Sequence, residues 1–470
     1  MNALHVSAEE FRALAGRVTE LAAELYAKLP TARAYPETSG PQTSNAFDEP
    51  APQHGLKAMA LDALTSVVEM SRLPTPRFFG YVLGSGEPVA ALGDLLASVL
   101  NQNVTAWRSA PAAVAIERQV VRWIADALGC GELTGSLCGG GSAANLMGLA
   151  MAREARLPGN EAGARPGVIY CSHEAHMSIA KAVALLGLGR HNLHRVAVDG
   201  RARMSAAALE KAIAADRAAA RDCVAVVASA GTVSTGAIDP LEQVGEICRA
   251  NDLWLHVDGA YGALGALVAP EKYRGLDQVN SLSVDLHKWL YQPVDCGLLL
   301  FRDQEVARRT FSYTEDYARV IGGGPDEEFA FFEESLELSR RFRALKVWLS
   351  LRYHGLEAFR AAIRSDLEHA QLLATAVREC PELELLAPVE LSAVCFRYRG
   401  TQRASDLNQL NEAILRRTIE NGRVYLSNAS IGGAFALRAC FVNHRTRIAD
   451  VGEIVPEVLA AARSVSSRCR

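Results

Sequence analysis

Several patterns are scarce or missing in this 470-residue chain, and each absence removes a class of function. No apolar run approaches the roughly 20 residues that cross a bilayer, so no membrane partner is expected. The N-terminus shows no signal peptide. Ten cysteines are scattered with neither a CxxC pair nor a zinc-ligand spacing, so no metal site is expected. Cys223, Cys248 and Cys440 lie in apolar stretches and read as small core residues. Reduced cysteines and a missing leader point to the cytoplasm. Neither sign of charge dominates: the net charge of -4 gives no reason to expect nucleic acid as partner. There is no internal repeat, and composition is biased only over residues 30–56, which are rich in Pro, Ser, Thr and Gln and read as an irregular crossing segment.

What is present is apolar residue in quantity, 49% against 22% charged, enough for a large core divided among lobes. Residues 5–28 place Phe11, Leu14, Val18, Leu21 and Leu25 at helical spacing, with Ser7 and Glu10 set as a capping box. From Ala112 onward helices and short apolar runs alternate, which predicts an α/β domain with a mostly parallel sheet. Strands are expected at Val168–Cys171, Val224–Ser229, Leu253–Val257, Leu282–Val284 and Leu298–Phe301. Helices are expected at Ala143–Arg156, Ser178–Leu186, Ala206–Arg221 and Leu241–Ala250, then at Ala344–Tyr353 and Leu356–Glu379. The division follows: an N-terminal helical arm over 1–85, a large α/β domain over 86–365, and a small α+β domain over 366–470.

The chemistry gathers around Ser281–Asp303, SLSVDLHKWLYQPVDCGLLLFRD. Lys288 stands between apolar runs; a desolvated lysine offers a neutral amine, the form that makes a Schiff base with an aldehyde. Upstream, Leu253-Trp254-Leu255-His256-Val257-Asp258 is a buried-strand pattern ending in an acid, and Ala260 follows. A carboxylate at that end of a parallel strand points into the usual ligand crevice. Further back, Gly139-Gly140-Gly141-Ser142 feeds a helix whose bare N–H groups suit a phosphate. A phosphate cradle, a strand-end carboxylate and an imine-forming lysine are the three handles of pyridoxal 5'-phosphate.

These segments, together with SHEAHMS, HVDGAYGALG and LELSRRFRALKVW, resemble the pyridoxal-phosphate-dependent group II amino-acid decarboxylases, from about Pro76 to about Thr446. That family includes the aromatic-L-amino-acid, histidine and glutamate decarboxylases. The resemblance implies the aspartate aminotransferase-like fold (fold type I), a homodimer in which the N-terminal helices wrap over the second subunit, and a small molecule, an L-amino acid, as substrate. It also implies that Lys288 carries the cofactor, that Asp258 pairs with the pyridine nitrogen, and that His176 stacks on the ring. Gly141, Ser142 and His287 fall at phosphate contacts, and Ala260 is small enough to lie beneath the ring. Gly231-Thr232-Val233 matches a Gly-Thr-Thr in which the second Thr meets the cofactor; with Val233 there, either Thr232 substitutes or that contact is absent. Phe79 and Tyr81, and Asn103 and Thr105 entering from the partner subunit, fall on segments that line the substrate pocket. The polarity of the second pair argues against an aromatic substrate. Arg438, on a strand-like run of the small lobe, is a candidate for the substrate carboxylate.

The reading is decarboxylation of an L-amino acid to the amine and carbon dioxide. The alternative is oxidative decarboxylation and deamination to an aldehyde, and transamination comes third because it needs a firm arginine clamp. Residues Phe311–Glu334, with Gly322-Gly323-Gly324-Pro325 and no apolar periodicity, read as a mobile lid. In aromatic-specific members of the family this lid carries a proton-donating tyrosine. Counting back from Arg340-Arg341-Phe342, that position falls on Phe331 or Phe332, neither of which donates a proton; Tyr313 and Tyr317 are possible substitutes. A missing donor is the motive for the aldehyde alternative.

Overall fold

The computed structural model describes residues 4–313, 324, 327–400 and 404–468. A seven-stranded sheet forms the centre, with spatial order β1 (Thr134–Cys138), β7 (Gly297–Phe301), β6 (Ser281–Asp285), β5 (Trp254–Asp258), β4 (Cys223–Ser229), β2 (Val168–Ser172) and β3 (Leu193–Val196). The run from β6 to β3 is parallel, and β7 lies antiparallel to both its neighbours. Every residue of β2, β5, β6 and β7 is buried, because helices cover both faces. That is why β2, β5 and β7 read as apolar runs, while β6, Ser281-Leu282-Ser283-Val284-Asp285, keeps alternating small polar residues although every residue is buried.

A second, antiparallel sheet takes the order β10 (Ser427–Ile431), β11 (Ala434–Cys440), β9 (Ala393–Tyr398) and β8 (Leu383–Leu385). Its core gathers Phe396, Leu437 and Phe441 against the long helix Leu356–Glu379. At the other end of the chain, Ser7 caps the helix Ala8–Lys28, accepting the Glu10 amide at 3.1 Å.

The expected strands and helices are present, with ends displaced by up to three residues, the largest being the helix expected at Ala206–Arg221, which ends at Ala218. Two strands of the central sheet were not foreseen, because TGSL before Cys138 and the polar run Leu193–Val196 carry neither β-branched enrichment nor alternation. The segment 30–56 is less irregular than its composition suggests. Ser39 accepts the Gln42 amide at 3.2 Å and starts a helix over Gly40–Phe47, with proline in its first turn where no amide is missed.

Candidate active site

A cleft opens where β4, β5 and β6 end in Ser229, Asp258 and Asp285. All of the residues expected to hold the cofactor line it. Gly141 and Ser142 come from the start of the helix Gly141–Arg156, His176 from the cap of the helix Met177–Leu185, and Thr232 from the loop after β4. Asp258 and Ala260 follow β5, and His287 and Lys288 sit on the single turn Leu286–Trp289 after β6. Parallel strands deliver side chains to one crevice because they share one C-terminal edge.

The end expected to take the phosphate is built from backbone. The helix Gly141–Arg156 has no side-chain cap, and its N-cap Gly140 has φ +119°, a conformation that favours glycine. A Cβ on Gly141 would lie 2.7 Å from the Ala260 Cβ and 3.0 Å from an Asp285 carboxylate oxygen. Ala260 and Asp285 thus leave no room for a side chain at Gly141, and the first turn lines the cleft at the positive end of a 16-residue helix. His287 stands beside it, its Nδ1 bonded to the Cys296 carbonyl at 3.1 Å, and burial holds its imidazole below the usual range.

At the opposite end Asp258 is 8% exposed and accepts three hydrogen bonds: from Asn145 Nδ2 at 3.0 Å, Ser283 Oγ at 3.2 Å and the Ala260 amide at 3.2 Å. Such donors fix the carboxylate in place. His176 is held from behind by Ser178 Oγ at 2.8 Å from Nδ1, and burial lowers its pKa. Thr232 uses its hydroxyl within its own turn, on Thr235 Oγ1 at 3.0 Å and the Ala237 amide at 3.2 Å, while Val233 beside it lines the cleft.

Lys288 is not enclosed by apolar neighbours alone. Its Nζ lies 2.8 Å from Asp285 Oδ2, and Asp285 Oδ1 is buried with no partner. Asp285 and Asn145 were both missed in the sequence, although each had a signal. Asp285 precedes Lys288 by three residues, one helical turn, and Asn145 follows Gly141 by four, on the same helix face.

Of the residues expected at the substrate, Phe79, Tyr81 and Arg438 do not line this cleft, while Asn103 and Thr105 are expected at the cleft of the partner subunit. Phe79 is 1% exposed and packs on Phe441 in the small-lobe core. Tyr81 meets the Tyr425 hydroxyl at 2.8 Å. Asn103 Oδ1 accepts the Arg340 amide at 2.8 Å, and the Thr105 carbonyl accepts the Phe332 amide at 3.3 Å. Arg438 is buried on β11, donating to the carbonyls of Ser234 and Tyr81 at 3.2 Å each, with Nη2 buried and unpartnered.

The end of the expected lid is also not a lid. Phe331 is fully buried, its ring 4.2 Å from the Arg340 guanidinium, and Phe332 is buried beside Ala106 and Ala330. Neither lines the cleft of this chain. Tyr313 is exposed, and Tyr317, with Gly322, Gly323 and Pro325, lies outside the described residues.

An uncapped glycine-flanked helix start, a hydrogen-bonded strand-end carboxylate and a lysine between them define a site that fits pyridoxal phosphate in an α/β fold. The comparisons agree. The model of the pyridoxal-dependent decarboxylase conserved domain matches residues 41–399. The chain is 32% identical to the aromatic-L-amino-acid decarboxylase of Bacillus atrophaeus, over 98% of each. The TDC of Oryza sativa, solved with PLP and tryptamine, superposes with a TM-score of 0.91 at 25% identity, over 99% of each chain. The 4-hydroxyphenylacetaldehyde synthase of Rhodiola rosea superposes with a TM-score of 0.88 at 26% identity, over 98% of this chain and 99% of that one. The chain belongs to the pyridoxal-dependent decarboxylase family, and it is a pyridoxal-phosphate-dependent amino-acid decarboxylase.

Proposed function

We propose that the substrate is an L-amino acid with an uncharged, aromatic side chain, released as its amine and carbon dioxide. The charge inventory of the cleft carries this reading. Among the described lining residues the acids, histidines and lysine are Asp258, Asp285, His176, His287 and Lys288, and each has a place around the cofactor. No charged group is left over in that lining to pair with an acidic or basic side chain, and Val233 and Val294 add apolar wall. The polarity of Asn103 is no obstacle, since its carbonyl oxygen is spent on the Arg340 amide. Similarity to an aromatic-L-amino-acid decarboxylase supports the same class.

In this reading Lys288 tethers the cofactor aldehyde and Asp258 keeps the ring nitrogen protonated. His176 and Ala260 bound the two faces of the ring. The first amides of the Gly141 helix, the Ser142 hydroxyl and His287 take the phosphate, and Thr232 closes the edge. Bound pyridoxal phosphate supplies an aldehyde for the substrate amine and a protonated ring that draws electrons from the breaking bond. Among the described lining residues there is no arginine, and no lysine besides Lys288, that would clamp the substrate carboxylate in a strong ion pair. Arg438, engaged with two carbonyls on another wall, does not act as the in-plane clamp that transamination needs.

The same reading places the chain in the cytoplasm as a homodimer, with an arm to about residue 85 and a small domain from about 366. The exposed apolar stripe Leu92, Leu95, Leu96, Val99 and Leu100 on the helix Pro88–Leu100 supports a second copy as its cover. Initial rates of carbon dioxide release from a panel of L-amino acids test the substrate class. Aromatic members should exceed glutamate, lysine and 2,4-diaminobutyrate by at least about tenfold, or ~1.4 kcal/mol in the barrier. A preference for a charged member would overturn it.

A further inference from the structure

We propose that Asn145 is a positioning residue that fixes His176 as the tautomer with its proton on Nε2, using the same amide that holds Asp258. Only the role of Asp258 rests on the cofactor assignments above; the tautomer follows from protein contacts alone. An ionised carboxylate accepts and never donates, so the Asn145 atom 3.0 Å from Asp258 Oδ2 is its NH₂ group. That orientation turns the Asn145 carbonyl oxygen toward His256 Nε2 at 2.9 Å, which must then carry a proton. His256 is fully buried, and burial brings its pKa down to about 4, so its Nδ1 is a lone pair that accepts from Ser281 Oγ at 2.8 Å. Ser281 Oγ is supplied in turn by the Trp254 indole N–H at 2.9 Å. The row is packed tightly: a Cβ on Gly148 would stand 2.6 Å from the His256 ring.

The second N–H of Asn145 goes to Ser178 Oγ at 3.0 Å. With that oxygen accepting, the Ser178 hydroxyl hydrogen is directed to His176 Nδ1 at 2.8 Å, and the Ser178 amide donates to the same nitrogen at 3.3 Å. A ring nitrogen that receives two donors holds no proton. The charged groups acting on His176 are Asp258, Lys288 and Asp285, and burial outweighs them in keeping the ring neutral. Its single proton therefore sits on Nε2, which has no hydrogen-bond partner among the described residues. His176 offers the cleft a donor and not a base.

The test is nitrogen NMR of the full-length, cofactor-bound protein labelled with ¹⁵N-histidine, with His176 assigned by the signals lost in His176→Gln. The wild type should show a protonated Nε2 and a bare Nδ1 at neutral pH; the reverse pattern overturns the proposal. Ser178→Ala should give a mixture of tautomers while the cofactor's visible spectrum stays unchanged. Asn145→Ala should move both, because it releases Ser178 and Asp258 together. If Asn145→Ala folds and leaves His176 unchanged, Asn145 has no positioning role. If it does not fold, Ser178→Ala decides, and unchanged His176 signals there refute the relay. None of these readouts needs turnover, so a failed decarboxylation assay and a failed relay are told apart.

Discussion

Asp366 gives the most direct physical test of the packing behind the site. It lies on the helix Leu356–Glu379, 1% exposed, and accepts from the Tyr291 hydroxyl at 2.7 Å and the Trp289 indole at 3.0 Å. Trp289 follows Lys288, so this carboxyl anchors the lysine turn to the long helix. Burial raises its pKa from 3.8 to about 7, against the hydrogen bonds that lower it. Its folded state therefore holds a proton that the unfolded chain releases, and its contribution to stability is lost as pH rises from about 4 through about 7. Asp366→Asn keeps the shape and an accepting oxygen but removes the titration. From pH 5 to well above 7, the handicap of the wild type relative to the variant grows by about two units of pH, or roughly 3 kcal/mol. An unfolding entropy near ~2.1 cal/mol/K per residue over this chain length makes that about 3 °C in Tm. Thermal scans of both proteins at pH 5 and pH 8.5 should show the variant gaining that much on the wild type at the higher pH. A gap that stays constant with pH, or that closes as pH rises, would refute the buried, proton-holding carboxyl.

Further outcomes follow from the same contacts. Lys288→Ala should lose turnover and the borohydride-sensitive visible absorbance, and peptide mapping of the reduced wild type should find the pyridoxyl group on Lys288 and on no other lysine. Arg340 and Glu117 form an ion pair with both side chains fully buried, so Arg340→Leu strands a carboxylate and should cost about 3–5 kcal/mol, read as a fall in Tm; an unchanged Tm would show the pair to be energetically idle. Sedimentation at assay concentration should find a dimer, and Leu96→Asp on the exposed stripe should weaken it; an active monomer contradicts the proposed assembly.

The sheet was legible where burial on both faces leaves a mark, as in Leu253–Val257 and Leu298–Phe301, and illegible where a strand is short and small, as in Thr134–Cys138. The cofactor residues were legible because each sits at a junction with its own signal: glycines before a helix, an acid at a strand end, a lysine after a strand. Asp285 and Asn145 escaped because their importance depends on what stands across the cleft, which spacing along the chain does not reveal. Phe331 was misplaced by counting through a segment of unfixed length. Its ring packs on the Arg340 guanidinium, and residues 314–323, where Tyr317 falls, lie outside the described residues.

The central claim is tested by the balance of products from the best aromatic substrate: carbon dioxide, amine, aldehyde, hydrogen peroxide and oxygen consumed, measured in one reaction. The account predicts carbon dioxide and amine in equal amounts with no oxygen uptake. Aldehyde with stoichiometric peroxide, or turnover without carbon dioxide, would contradict it.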